Sequence, residues 1–234
     1  MLNGLLQTIT VDNALVILSA PDVATDKVSN YYQVPYSEQS VTGQQLASWQ
    51  AHLGTGYMPR VVIPASTTQI NVQGLVDHLI YIATQCGIKP EQILLELSET
   101  VLFDGNTASL KHLQRLQDHG FDIVIDHFGS GHGALTHLHE LPINRVKLDG
   151  ELLERITECD KSSLYEVTKA TTTLCQNLDI SVVASGVENP EQWLLAQRLN
   201  CHLIHAAIIG EPMRTSEATR FIVEHKSSAA ISTN

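Results

Sequence analysis

The stretch at residues 122–131 reads DIVIDHFGSG, and the order of residue types within it decides the fold class. Residues 123–125 form a β-branched apolar run of the kind found in a buried strand. Asp126 and His127 follow directly, and glycines then punctuate the chain. A short apolar strand that ends in charged side chains and a loop fits the strand ends of an α/β fold, where chemistry collects.

The same pattern recurs along the chain, with helical stretches between the runs. Seven candidate strands lie at residues 15–18, 60–63, 93–97, 122–126, 145–148, 180–184 and 203–209. Strands that alternate with helices predict an α/β protein with parallel strands, and seven of them suggest a barrel.

Two helical stretches can be placed from local signals. Residues 74–86 carry Leu75, Leu79 and Ile82 on one face at helical spacing. Asn189 before Pro190 predicts a helix N-terminus, with Gln192 as the capping-box partner. Since no linker divides the chain, we expect a single domain over residues 1–225 and a flexible tail over residues 226–234.

Composition and charge restrict the partners. The 234 residues include 14 Lys plus Arg and 25 Asp plus Glu, which gives a formal net charge of -11. That charge opposes binding to nucleic acid or to an anionic membrane. The apolar stretches are too short to span a bilayer, and the first cationic side chain is Lys27, so no secretory signal is indicated. We expect a cytoplasmic protein with no nucleic-acid or membrane partner.

The cysteines and the histidines do not predict a metal site. The four cysteines contain no CxxC pair, which favours reduced and mostly buried thiols; they are Cys86, Cys159, Cys175 and Cys201. The histidines that follow the 122–126 run are better interpreted as solvated loop residues than as zinc ligands; they are His127, His132, His137 and His139.

Titratable and polar side chains stand at the end of five consecutive candidate strands. They are Glu96, Glu99, Asp126, His127, Lys147, Asp149, Ser185, Glu188 and His205. In a barrel of parallel strands these ends meet at one rim, so the pattern predicts a present or former functional site there.

Four of these segments carry a family resemblance. Residues 95–100, LELSET, resemble LEITES, and residues 125–131, IDHFGSG, resemble DDFGTG. Residues 141–149, LPINRVKLD, resemble LPVDxLKID, and residues 183–188, VASGVE, resemble VAEGVE. In this order they resemble the EAL domain family of cyclic di-GMP phosphodiesterases. The resemblance implies a modified TIM (β/α)8 barrel in which one strand runs antiparallel to the others.

The resemblance also implies a site with two divalent cations, and here six of its positions are changed. Tyr32 stands in place of the EAL glutamate and Tyr36 in place of an arginine that contacts phosphate. Pro64 replaces an asparagine ligand, and His127 replaces the second aspartate. Ser185 replaces the glutamate that acts as the base. His205 takes the place of a glutamine near the last strand.

The retained positions define the vestigial site. By resemblance, Glu96 and Asp126 would be metal ligands, with His127 a weak substitute, and Lys147 would contact water or phosphate. Glu99 would support the loop. Residues that would contact nucleotide, if any is bound, are Asp126, Lys147, Asp149, Glu188 and Pro212. With metals absent, a partly buried Lys147 would need an ion pair with Asp126 or Glu96.

Three functions follow from this comparison. We expect an inactive regulatory EAL-like domain that binds a protein partner, with no cofactor and with weak or absent cyclic di-GMP binding. One alternative is a cyclic di-GMP receptor that does not hydrolyse its ligand. The other is an active phosphodiesterase, which would require Mg²⁺ or Mn²⁺. The identity of the partner, homodimerisation and membership of a longer protein stay open.

Overall fold

The computed structural model describes residues 8–11, 14–17, 44, 46–51, 60–65, 70–71, 74–99, 107–129, 138–158, 162–206 and 219–220. Within these residues lies one eight-stranded sheet in which the strands follow chain order. The strands are β1 (Thr8–Val11), β2 (Ala14–Ile17), β3 (Arg60–Pro64), β4 (Ile93–Ser98), β5 (Asp122–Phe128), β6 (Arg145–Leu148), β7 (Ser181–Val187) and β8 (Leu203–Ala206).

Helices connect the parallel strands. They are α1 (Leu75–Cys86), α2 (Thr107–Asp118), α3 (Gly150–Glu158), α4 (Ser162–Asn177) and α5 (Pro190–Arg198), with 3₁₀ turns at Pro90–Gln92 and Leu138–Glu140. Among the described residues, no helix has the length and apolar character needed to cross a membrane.

The sheet has the predicted topology of a modified barrel. Strand β2 pairs antiparallel with both β1 and β3. Each later neighbouring pair is parallel, from β3 with β4 through to β7 with β8. Strands β1 and β8, at the two edges of the chain order, lie close to each other. The predicted α/β barrel with an antiparallel strand is therefore confirmed.

The sequence pattern misses one strand. Residues 8–11 read TITV and pair antiparallel with β2. The alternation of threonine with apolar residues in this segment fits a strand, but the segment is only four residues long and ends two residues before β2, and the predicted strands do not include it. The other strands lie where they were predicted, with ends shifted by a few residues or, beyond residues 17 and 206, outside the described residues.

The predicted start of α5 is confirmed, with one correction. Asn189 Oδ1 accepts a hydrogen bond from the backbone N–H of Gln192 at 2.9 Å, as an N-cap does. The capping-box interpretation of Gln192 was wrong, because its Oε1 accepts from the N–H of Glu188 at 2.7 Å and not from Asn189. This bond ties the end of β7 to the first turn of α5.

Because side chains alternate in direction along each strand, the buried residues divide into two clusters. One cluster of buried residues inside the barrel contains Val62, Leu94 and Val124. Their chain neighbours, among them Leu95 and Ile125, belong to the larger cluster that includes helix residues. Successive side chains of a strand point to opposite faces. Two residues further along, each strand therefore points its end residue inward as well, above the apolar interior.

Candidate functional site

Lys147 on β6 is the centre of the inward-facing rim. Its Nζ lies 2.7 Å from Glu96 Oε2 on β4 and 3.2 Å from Asp126 Oδ1 on β5. The Lys147 and Glu96 side chains are only 6% and 7% exposed. We call these three residues the rim cluster. The ion pair predicted from the sequence is present, and it involves both carboxylates.

Burial and charge oppose each other within the rim cluster. Burial lowers the pKa of Lys147, but the charges of Glu96 and Asp126 outweigh it, so the pKa of Lys147 is raised above its usual value. Burial also raises the pKa of Glu96, and the opposing influence of Lys147 does not cancel that increase. Lys147 is consequently a buried ammonium at neutral pH, held by its two carboxylate partners.

His127 lies beside the rim cluster in an uncommon backbone conformation. Its φ is 55°, in the left-handed region that few non-glycine residues adopt. The ring places Nδ1 at 3.2 Å from Asp149 Oδ2 and Nε2 at 3.5 Å from Asp126 Oδ2. The other Asp149 oxygen accepts from the Glu151 N–H at 3.1 Å, at the start of α3. Asp149 therefore connects this helix to the rim.

Ser185 and His205 meet at the ends of two adjacent parallel strands. Ser185 Oγ is 3.3 Å from His205 Nδ1. The pKa of His205 is lowered to about 4, first by burial and then by the positive charge of Lys147, with Asp126 acting in the opposite direction. The imidazole is therefore neutral at physiological pH. Sequence reasoning placed both residues at strand ends but did not predict this contact.

Two glycines let α3 approach this side of the rim. Gly186 has a φ of 67°, and a Cβ there would lie 3.1 Å from the Gly150 Cα. That separation is too short for ordinary contact without a shift of backbone. Glycine at position 186 thus keeps this part of β7 in close contact with the first residue of α3.

The remaining predicted positions are not all brought together. Glu99 is buried, with 5% exposure. Pro64 faces Glu96 in the register of β3 and β4. Glu188 is exposed, and His139 is exposed beside Glu140. Tyr32, Tyr36, His132, His137, Pro212 and Cys159 lie outside the described residues. Cys86, Cys175 and Cys201 are free thiols, as expected.

Comparison of the sequence with protein family models identifies the family to which this rim belongs. The EAL domain model matches residues 39–212, about three quarters of the chain. The chain belongs to the EAL domain family. This match covers every residue of the rim cluster together with His127, Ser185 and His205.

Individual relatives agree with this EAL assignment. The chain is 26% identical over 179 residues to the cyclic di-GMP phosphodiesterase NbdA of Pseudomonas aeruginosa, covering 76% of this chain and 23% of NbdA. It is 27% identical over 175 residues to the oxygen sensor protein DosP of Escherichia coli, covering 74% of this chain and 21% of DosP. The chain thus spans about a fifth of the length of these curated relatives.

A solved structure supports the same EAL fold. The PaMucR phosphodiesterase, in a complex with c-di-GMP, superposes with a TM-score of 0.69 at 26% identity, over 77% of this chain and 71% of that chain. The homologues of this EAL domain therefore include cyclic di-GMP phosphodiesterases.

The described part of the rim places a lysine ammonium, and no metal-holding group, between its two retained carboxylates. Small hard cations require several oxygen ligands in fixed geometry. Glu96 and Asp126 direct oxygens at Lys147 Nζ, while Pro64 offers no side-chain donor. Across the part of the chain that the structure describes, no group of three or more His, Cys, Asp or Glu side chains is arranged to hold a metal ion.

Proposed function

We propose that this EAL domain does not hydrolyse cyclic di-GMP and is a regulatory module of cyclic di-GMP signalling that acts by binding a protein partner. The observation that carries the proposal is the loss of the family's site groups at Pro64, His127 and Ser185. Beside these positions the ammonium of Lys147, a retained position, lies 2.7 Å and 3.2 Å from the two retained carboxylates. A positive charge held there repels a divalent cation and competes for the same oxygens. Hydrolysis that depends on metal-activated water loses its nucleophile.

The rest of the rim supports the same conclusion. Ser185 stands where the resemblance implies a glutamate base, and a serine hydroxyl does not accept a proton at neutral pH. His127 Nδ1 already contacts the Asp149 carboxylate at 3.2 Å.

An assay of hydrolysis tests the proposal. The purified chain is mixed with cyclic di-GMP and Mg²⁺ or Mn²⁺, and the linear dinucleotide is followed with time. We expect no product above background. Sustained product formation that Asp126→Ala abolishes would contradict the proposal. An Asp77→Ala variant, altered on the exposed face of α1, provides the matched control for effects of substitution alone.

A receptor that binds cyclic di-GMP without cutting it is the second candidate. The retained positive charge of Lys147 and the nearby Asp149 favour it, since both belong to the positions that resemble the family's nucleotide contacts. Against it stand Tyr36, in place of an arginine, and the loss of metal ligands. Each lost charge-assisted contact weakens binding by about 1.5 to 3 kcal/mol, so two losses reduce affinity by roughly 10² to 10⁴-fold.

Calorimetry separates the two candidates. For the regulatory module we expect no heat of binding at micromolar cyclic di-GMP, with or without Mg²⁺. A saturable isotherm with low-micromolar affinity and no linear product would instead establish the receptor. In that case Lys147→Met should weaken the binding, because it removes the cation nearest to the strand ends.

A further inference from the structure

Ser185 and His205 form a pair that the proposed function does not use. Both residues come from the ends of neighbouring parallel strands, β7 and β8, whose register aligns Ala184 with Ile204. Each therefore extends inward at the rim by the same alternation that places Glu96 there. Ser185 as a whole residue is half-buried.

The contact has the geometry of a nucleophile beside its base. Ser185 Oγ lies 3.3 Å from His205 Nδ1, slightly longer than the hydrogen bond expected for a base in a bound complex. Such contacts are often loose in the absence of ligand. The neutral imidazole can accept the hydroxyl proton at Nδ1 when its own hydrogen is on Nε2.

Two further features surround the pair. Gly186 follows Ser185 within β7 with a φ of 67°, at an irregularity in the register between β7 and β8. Lys147 carries a buried positive charge close enough to lower the pKa of His205.

We propose that Ser185 is an activated nucleophile, with His205 as its base, that accepts an acyl or phosphonyl group from small activated esters. In the step, the bond between Ser185 Oγ and the electrophilic carbon or phosphorus forms, and the bond to the leaving group breaks. The hydroxyl proton moves to His205 Nδ1. With a carboxylic ester, the protonated His205 gives that proton to the leaving alkoxide, and water then cleaves the acyl-serine to release the acid.

A fluorophosphonate probe tests this activity independently of cyclic di-GMP. The full chain is incubated with an alkyl fluorophosphonate and EDTA, and intact mass spectrometry follows the adduct, which forms with loss of fluoride. We expect one adduct, which peptide mapping of the wild-type protein places on Ser185. Ser185→Ala should abolish it, and His205→Gln should slow it by roughly 10²-fold. Ser163→Ala, on the exposed surface of α4, should leave the rate unchanged.

Several results would overturn the inference. Absence of an adduct on the wild-type protein would do so, as would an adduct mapped to another residue or one formed equally fast by His205→Gln. The mapping uses unaltered protein, so it does not depend on the variants folding. Since EDTA removes divalent cations, the outcome is separate from the hydrolysis assay of the proposed function.

Discussion

The same two strands, β5 and β6, carry an ion cluster at each of their ends. At the carboxyl ends is the rim cluster, in which one lysine is held by two carboxylates. At the amino ends is a basal cluster in which Asp122 is held by two arginines. Arg145 donates to Asp122 Oδ2 from Nε at 3.1 Å and from Nη2 at 2.9 Å, and Arg60 Nη1 lies 3.6 Å from the same oxygen.

The two clusters differ in burial and in geometry. Side chains of the basal cluster are 15% to 24% exposed, whereas Lys147 and Glu96 are 6% and 7% exposed. The basal cluster uses a guanidinium fork, which fixes its orientation, and water still reaches its charges. In the rim cluster, Lys147 and Glu96 form a nearly dry point-charge contact, while Asp126 is 23% exposed. Loss of one partner should therefore cost more at the rim, because the remaining charge cannot be hydrated.

Removing the rim cation should have the largest effect on stability. Lys147→Met keeps most of the side-chain volume but leaves Glu96 buried beside Asp126. We expect the free energy of unfolding at neutral pH to fall by about 3 to 5 kcal/mol. Urea unfolding followed by circular dichroism measures it. Lys89→Met is the control, since the Lys89–Glu91 pair is exposed and should contribute at most about 1 kcal/mol. Equal losses in the two variants would contradict the comparison.

Removing the basal carboxylate should have an intermediate effect. Asp122→Asn takes one charge from between Arg145 and Arg60, which can still contact solvent. We expect a loss of about 1 to 3 kcal/mol in the free energy of unfolding, because hydrogen bonds to charged groups are lost. The same unfolding experiment applies, with Asp77→Asn in the exposed Arg115 pair as control. A loss larger than that of Lys147→Met would reverse our ranking of the two ends.

The rim cluster should also give stability a distinctive dependence on alkaline pH. The pKa of Lys147 is raised above its ordinary value of 10.5, so the folded protein keeps this proton after the unfolded chain has lost it. Stability from this group is complete below pH 10.5 and declines as the pH rises through the folded-state pKa. Across that interval, the stability difference between wild type and Lys147→Met should shrink by about 1.4 kcal/mol for each pH unit between the unfolded-state and folded-state pKa values. Urea unfolding at a series of alkaline pH values measures it, and a difference that grows would mean that folding lowers the pKa of Lys147 instead.

The smallest expected effect is the energetic coupling between the rim cluster and the basal cluster. Asp122 and Asp126 are four residues apart on β5, about 13 Å along an extended strand. Losses caused by Asp122→Asn and Lys147→Met should therefore add to within about 0.5 kcal/mol in the double variant. A larger interaction energy from the double-mutant cycle would mean that the two clusters behave as one network.

The sequence predicted the strand ends well because alternation and topology determine them. Glu96 and Asp126 each stand two residues beyond an inward apolar residue of their strand. Lys147 lies on the strand next to that of Asp126, so parallel pairing brings the three side chains together. The contact between His127 and Asp149 could not be predicted, because it depends on the positive φ of His127. The hydrogen bond from the Glu188 N–H to Gln192 Oε1 could not be predicted either. The sequence does not tell which of two adjacent N–H groups, that of Glu188 or that of Asn189, the Gln192 side chain accepts from.

A titration with Mn²⁺ tests most directly whether Lys147 occupies the position of a cation. Calorimetry is performed on the wild-type chain and on Lys147→Met, each without nucleotide and each checked for folding by circular dichroism. We predict no saturable binding to the wild type and measurable binding to Lys147→Met, because the variant leaves Glu96 and Asp126 without their positive partner. Saturable binding to the wild-type protein that Asp126→Asn removes would contradict the account, since the ion pair would then not exclude the metal on which hydrolysis depends.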